Sequence, residues 1–93
     1  MIFPKWADGA QLTKKQRACG RLKFVMMTIA LQHTGRNSMR SLSELVGLDH
    51  STLSKYLKQG FFTEKAASQV QLRLNDKGIT VAMLMDPLSI PKT

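Results

Sequence analysis

The stretch MRSLSELVGLDHSTLSKYLKQG, Met39 to Gly60, decides the fold. Leu42, Leu45 and Val46 are spaced to line one face of a first helix, and Leu53, Tyr56 and Leu57 one face of a second. Between them stand Gly47, Leu48 and Asp49. A glycine belongs where the backbone must turn through positive φ, a region in which a Cβ is costly. Asp49 is suited to cap the second helix, because its carboxylate accepts from the free N–H groups of a first turn. The pattern therefore predicts two short helices joined by a tight turn. The second runs from His50 to about Gln59.

This spacing fits a helix-turn-helix, whose second helix lies in the major groove of DNA. The stretch resembles the helix-turn-helix of the lambda-repressor and Cro family of phage, plasmid and bacterial regulators. Gly47 sits at the family's turn glycine. Ser43 takes the small-residue position four before it, usually Ala, and Leu48 and Leu53 occupy the apolar positions that pin the second helix to the first. Leu53-Ser54-Lys55-Tyr56 followed by Gly60 is similar to the family's "V/I-S-x-W/Y…G" ending. Met39 departs from the usual Gln, a residue that often contacts phosphate or a neighbouring side chain. The match covers about a quarter of the chain; beyond it only the number and order of helices agree. The resemblance implies an all-α, compact four- to five-helix bundle with a central helix-turn-helix at 39–60. It also implies a sequence-specific DNA-binding regulator, a homodimeric repressor of phage or plasmid type on a palindromic operator.

Outward from that stretch, composition points the same way. Ninety-three residues make one domain, and 43% apolar content suffices for a packed core. Fourteen Lys and Arg against six Asp and Glu leave a net charge of +8 and a pI near 10.2, which favours a polyanionic partner. Residues 1–40 carry +7 of this, residues 41–62 balance at zero, and residues 63–93 carry +1. The single cysteine, Cys19, allows no disulfide within the chain and no cysteine zinc site, so a reduced, cytoplasmic setting is expected. The longest apolar run, Phe24 to Leu31, is too short to span a bilayer.

Residues 1–10 show no period and read as an N-terminal arm, with residues 11–93 as the domain. Phe3 and Trp6 of the arm need cover, from the core or from a partner subunit. Thr13 with Gln16 makes a capping box for the first helix. Ala18, Leu22, Val25, Met26, Ile29 and Ala30 form its inward stripe, and Lys14, Lys15, Arg17, Arg21 and Lys23 crowd its first half. Phe24, Met27 and Leu31 add an apolar face that either completes the core or meets a second subunit. Gly20 allows a close approach or a kink, and Thr34-Gly35 ends the helix. The next helix starts after Ser38 or after Ser41, near Arg36 and Arg40. A helix N-terminus flanked by arginines suits phosphate. Thr63 caps a further helix, roughly Glu64 to Asn75, which Asn75-Asp76-Lys77-Gly78 stops. Ile79 to Met85 fits either a short fifth helix or a strand of the kind some Cro relatives pair across a dimer; the helix is preferred.

With Leu53 facing inward, steps of about 100° per residue send Ser51, Ser54, Lys55 and Lys58 outward, with His50 at the leading end. These five are the candidate base contacts. Arg36, Arg40 and Thr52 are candidate backbone contacts. Lys55 and Lys58 suit guanine acceptors or phosphates, the alternative being a merely solvated helix face. The bidentate Arg, Asn and Gln that give sharp readout are missing before Gln59, so weaker base discrimination and more help from charge and DNA shape are expected. No nucleophile–base pair, paired carboxylates, metal-ligand cluster or Gly-rich phosphate loop stands out. The expectation is therefore no enzyme, no cofactor and no metal. Both histidines lack ligating company; His33 suits a helix C-terminus, and Cys19 reads as a small core residue. The expected partners are double-stranded DNA, a second copy, and a protein co-regulator, with no membrane. The rival to this reading is an antitoxin-like protein-interaction module whose DNA binding is auxiliary.

Overall fold

The computed structural model describes residues 2–75 and 78–91. Six α-helices and one 3-10 turn follow in order: α1 Lys5–Asp8, α2 Lys14–Thr34, α3 Met39–Val46, α4 His50–Gln59, α5 Glu64–Leu74, α6 Val81–Met85, then Pro87–Ser89. No strand occurs among the described residues.

The central element is α2. Its start is the expected capping box: Gln16 N–H donates to Thr13 Oγ1 at 3.2 Å, and Thr13 N–H to Gln16 Oε1 at 2.8 Å. At 1.5 Å per residue its 21 residues extend about 32 Å, close to the molecule's longest axis of 33 Å. α1, α3, α4 and the 3-10 turn all pack on it, while α5 packs on α3 and on α6, which in turn packs on the 3-10 turn. Leu22, Val25, Met26, Ile29 and Ala30 are buried along one stripe, with Ala18 only half-buried. They meet Leu42 and Val46 of α3, Leu53 of α4, Phe62, Val70 and Leu74 of α5, Leu84 of α6, and Ile90. Burying each such side chain contributes about 1.5–3 kcal/mol, so this one cluster carries the fold.

The count of four to five helices is corrected by α1. The stretch read as an arm holds one helical turn, in which the Ala7 and Asp8 N–H groups donate to Pro4 O. Four residues are too few to show a period, and the turn is held from outside. Phe3 and Trp6 stand edge-on to Phe24, with ring centroids 5.8 and 6.0 Å away. Gly20 is where α1 and α2 touch: a Cβ there would lie 2.5 Å from Ala7 O. The close approach, not a kink, is the reason for that glycine. Phe24 is thus covered by the chain's own N-terminus, while Leu31 stays 52% exposed.

Elsewhere local chemistry sets the boundaries. Ser38, not Ser41, caps α3, with Ser41 N–H donating to Ser38 Oγ at 3.1 Å. Ala66 N–H donates to Thr63 Oγ1, and α5 ends at an Asn75 in the left-handed region, φ 50°. Asp76 and Lys77, two of the expected stop residues, lie outside the described residues. Thr80 caps α6 through Met83 N–H at 3.1 Å, so the helix alternative for residues 79–85 holds. Its Leu84 O accepts from Phe62 N–H at 2.9 Å, which ties α6 to the loop before α5.

Candidate nucleic-acid interface

The three-residue turn between α3 and α4 is fixed from three sides. Gly47 adopts φ 72° and its N–H donates to Ser43 O. Ser43 Oγ donates to Leu48 O. Gln69 of α5 donates through Nε2 to Val46 O at 3.1 Å and Gly47 O at 2.9 Å, partnering carbonyls left over at the end of α3. The Ser43 position, where a small residue was expected, is therefore also a hydrogen-bonding one.

Asp49 caps α4. Its Oδ2 accepts from Thr52 N–H at 3.4 Å and from Ser51 Oγ at 2.6 Å. The side-chain hydrogen bonds from Ser51 and then Thr52 hold its carboxyl below the ordinary value of 3.8. At the other end, Cys19 Sγ of α2 donates to Lys58 O at 3.2 Å, so the cysteine buttresses α4. Leu53 is fully buried, which fixes the rotation of the helix about its axis.

That rotation puts His50, Ser51, Ser54, Lys55 and Lys58 around one open concavity on the outer face of α4. All five candidate base contacts are brought together there. Gln59 joins them, its Nε2 donating to Phe61 O at 2.8 Å. Thr52 stands to the side and is half-buried. Arg36 and Arg40 lie apart from this face, at the start of α3. Arg36 is exposed, and Arg40 pairs with Glu44 at 3.4 Å with side chains 91% and 71% exposed. Such a surface pair contributes at most about 1 kcal/mol and leaves the guanidinium available.

Two neighbouring features were not legible from spacing. A cleft of about 290 Å³ runs between α2, the start of α3 and α4, lined by Lys23, Met27, Asn37, Ser38, Met39, Leu42 and Leu57. On the other flank a shallow groove between α4 and the start of α5 holds Leu48, Tyr56, Thr63, Lys65, Ala66 and Gln69. Lys65 adds an exposed cation there; its place in the first turn after the Thr63 cap was the available signal.

One expected member of the basic field is missing from the surface. Arg21 is 5% exposed. Its Nε donates to Asp8 Oδ1 at 2.8 Å and its Nη2 to Asp8 Oδ2 at 3.1 Å. Nη1 lies 3.4, 3.2 and 3.3 Å from the carbonyls of Pro87, Leu88 and Ile90. The guanidinium also lies 4.9 Å from the Phe3 ring centroid. Arg17, half-buried, donates to Gly9 O and Ala10 O. Lys14, Lys15 and Lys23 remain exposed.

Among the described residues no group of three or more His, Cys, Asp or Glu side chains could hold a metal ion. In the same residues no helix is long and apolar enough to cross a membrane. Comparison with family models, curated proteins and solved structures returned no match for this chain.

Proposed function

We propose that this chain is a homodimeric, sequence-specific DNA-binding regulator, a repressor acting through a lambda-repressor-like helix-turn-helix at residues 39–60. The observation that carries the reading is the face of α4. Five polar or cationic side chains converge on one open surface of a helix whose opposite side is locked into the core. A helix presented in this way fits the major groove, where hydroxyls and ammonium groups meet base edges. The net charge of +8 supports a polyanionic partner. Arg36 and Arg40 beside the start of α3 supply phosphate contacts that set the register.

The mechanism is steric. Each subunit of a dimer places one α4 in a half-site, with half-site centres about 34 Å apart, and occupancy of the operator blocks transcription. Control comes through the protein's own concentration or through a partner protein. The test is selection from a random-sequence DNA pool at two salt concentrations, followed by sequencing. A palindromic motif with two equal half-sites is expected. Binding without any motif, collapsing as salt rises, would reduce the activity to non-specific charge and overturn the proposal.

A further inference from the structure

If α4 reads DNA as proposed above, the direction of one hydrogen bond narrows what its face can read. A serine hydroxyl in the major groove ordinarily works both ways. It donates to a keto oxygen or accepts from an amino group, so serine by itself specifies little. Ser51 is different. Its Oγ lies 2.6 Å from Asp49 Oδ2. An ionised carboxylate only accepts, so the proton between them is the serine's. The separation is that of a charge-assisted O–H···O⁻ bond, about twice as strong as a neutral one. Asp49 is itself anchored, because the same oxygen accepts Thr52 N–H as the cap of α4. Ser51 therefore uses its donor within its own chain. Its lone pairs remain on an exposed side chain beside Ser54, Lys55 and Lys58.

We infer that Ser51 is a one-way reader: an acceptor that selects a base bearing an exocyclic amino group on the strand it faces, adenine N6 or cytosine N4. Asp49 is the positioning residue that sets this polarity. Guanine O6 or thymine O4 in the same place would oppose lone pair to lone pair. Every base pair shows one amino and one keto group in the major groove, so the choice is adenine or cytosine against guanine or thymine at one strand position. Lys55 and Lys58, which only donate, have the complementary preference for guanine acceptors.

The experiment repeats the random-pool selection with the full chain and two variants, Ser51→Ala and Asp49→Gly. The parent should favour adenine or cytosine at one position of each half-site by roughly two- to tenfold, the range a single neutral hydrogen bond supports. Ser51→Ala should erase that preference and leave the other positions intact. Asp49→Gly removes the acceptor of the serine proton, and glycine is itself a favoured residue at a helix N-cap. With no carboxylate beside it, the Ser51 hydroxyl can donate as well as accept, so the same position should relax toward all four bases. A purely structural role for Asp49 would weaken all positions alike. The inference fails if a motif is recovered that Ser51→Ala leaves unchanged. It also fails if the affected position carries guanine or thymine, or if Asp49→Gly keeps the parent's preference. Recovery of no motif would instead remove the DNA-reading proposal, and this inference with it.

Discussion

Arg21 and Asp8 form a two-pronged ion pair, 2.8 and 3.1 Å, whose side chains are only 7% and 6% exposed. The same guanidinium reaches the carbonyls around the 3-10 turn, so one arginine of α2 gathers both ends of the described chain. Taking one partner from a buried ion pair costs about 3–5 kcal/mol. Arg21→Met should lower unfolding stability by that order in a urea titration. Arg21→Lys, which keeps the charge but loses the fork, should fall between it and the parent. Loss of less than about 1 kcal/mol for Arg21→Met would show that this contact does not hold α1 in place.

Gly20 tests the same docking from the other side. In an exposed helix interior, Gly→Ala stabilises by about 1 kcal/mol. Here the new Cβ would sit 2.5 Å from Ala7 O and 2.6 Å from Ala7 Cα, against backbone that cannot rotate away. Overpacking of this kind costs about 1–3 kcal/mol. Gly20→Ala should therefore be net destabilising by thermal melting, and the environment of Trp6 should change in its fluorescence.

Acid should act on the start of α4. The carboxyl of Asp49 is held below 3.8 by hydrogen bonds from Ser51 and Thr52. A group with a depressed folded value contributes stability that is present above 3.8 and lost as pH falls through the lower folded value. The parent should lose stability relative to Asp49→Asn only below about pH 4, and the two profiles should run parallel above it. Parallel profiles down to pH 2 would contradict the Asp49 hydrogen bonds.

The cations of the proposed interface should separate by what they touch. Lys55→Ala should reduce affinity for the selected operator by about 1–2 kcal/mol, and affinity for unrelated DNA by less. Arg36→Ala and Arg40→Ala should weaken both alike. Each should also reduce the slope of log K against log salt by about 0.9, the signature of one released phosphate counterion. Fluorescence anisotropy across a salt series measures all of these. Equal losses on both DNAs for Lys55→Ala would place that residue on phosphate.

Most element starts were legible because they depend on neighbours in sequence. Thr13 with Gln16, Asp49 and Thr63 each cap a helix through the residue three positions on. The competition between Ser38 and Ser41 was not decidable that way, since both hydroxyls can cap. Packing of Met39 against the core, together with the Ser38–Ser41 hydroxyl contact at 2.9 Å, settles it for Ser38. The convergence of His50, Ser51, Ser54, Lys55 and Lys58 followed from helical period once Leu53 was placed inward. The Ser51–Asp49 bond, which gives that face its polarity, did not follow, because a rotamer is not written in a spacing.

By itself the sequence determined helices α2 to α5, the caps of α2, α4 and α5, the turn at Gly47 and the sidedness of α4, all consequences of chemistry within a few residues. The tertiary structure alone decided that the first ten residues hold a docked helical turn. It decided that Arg21 leaves the basic field for a buried pair, and that Gln69 holds the turn from 22 positions beyond Gly47. Those outcomes depend on partners 13 to 69 residues away, such as Asp8 and Ile90 for Arg21. Local pattern cannot anticipate them, because burial of a charge or an amide is favourable only once a specific acceptor has been folded into reach.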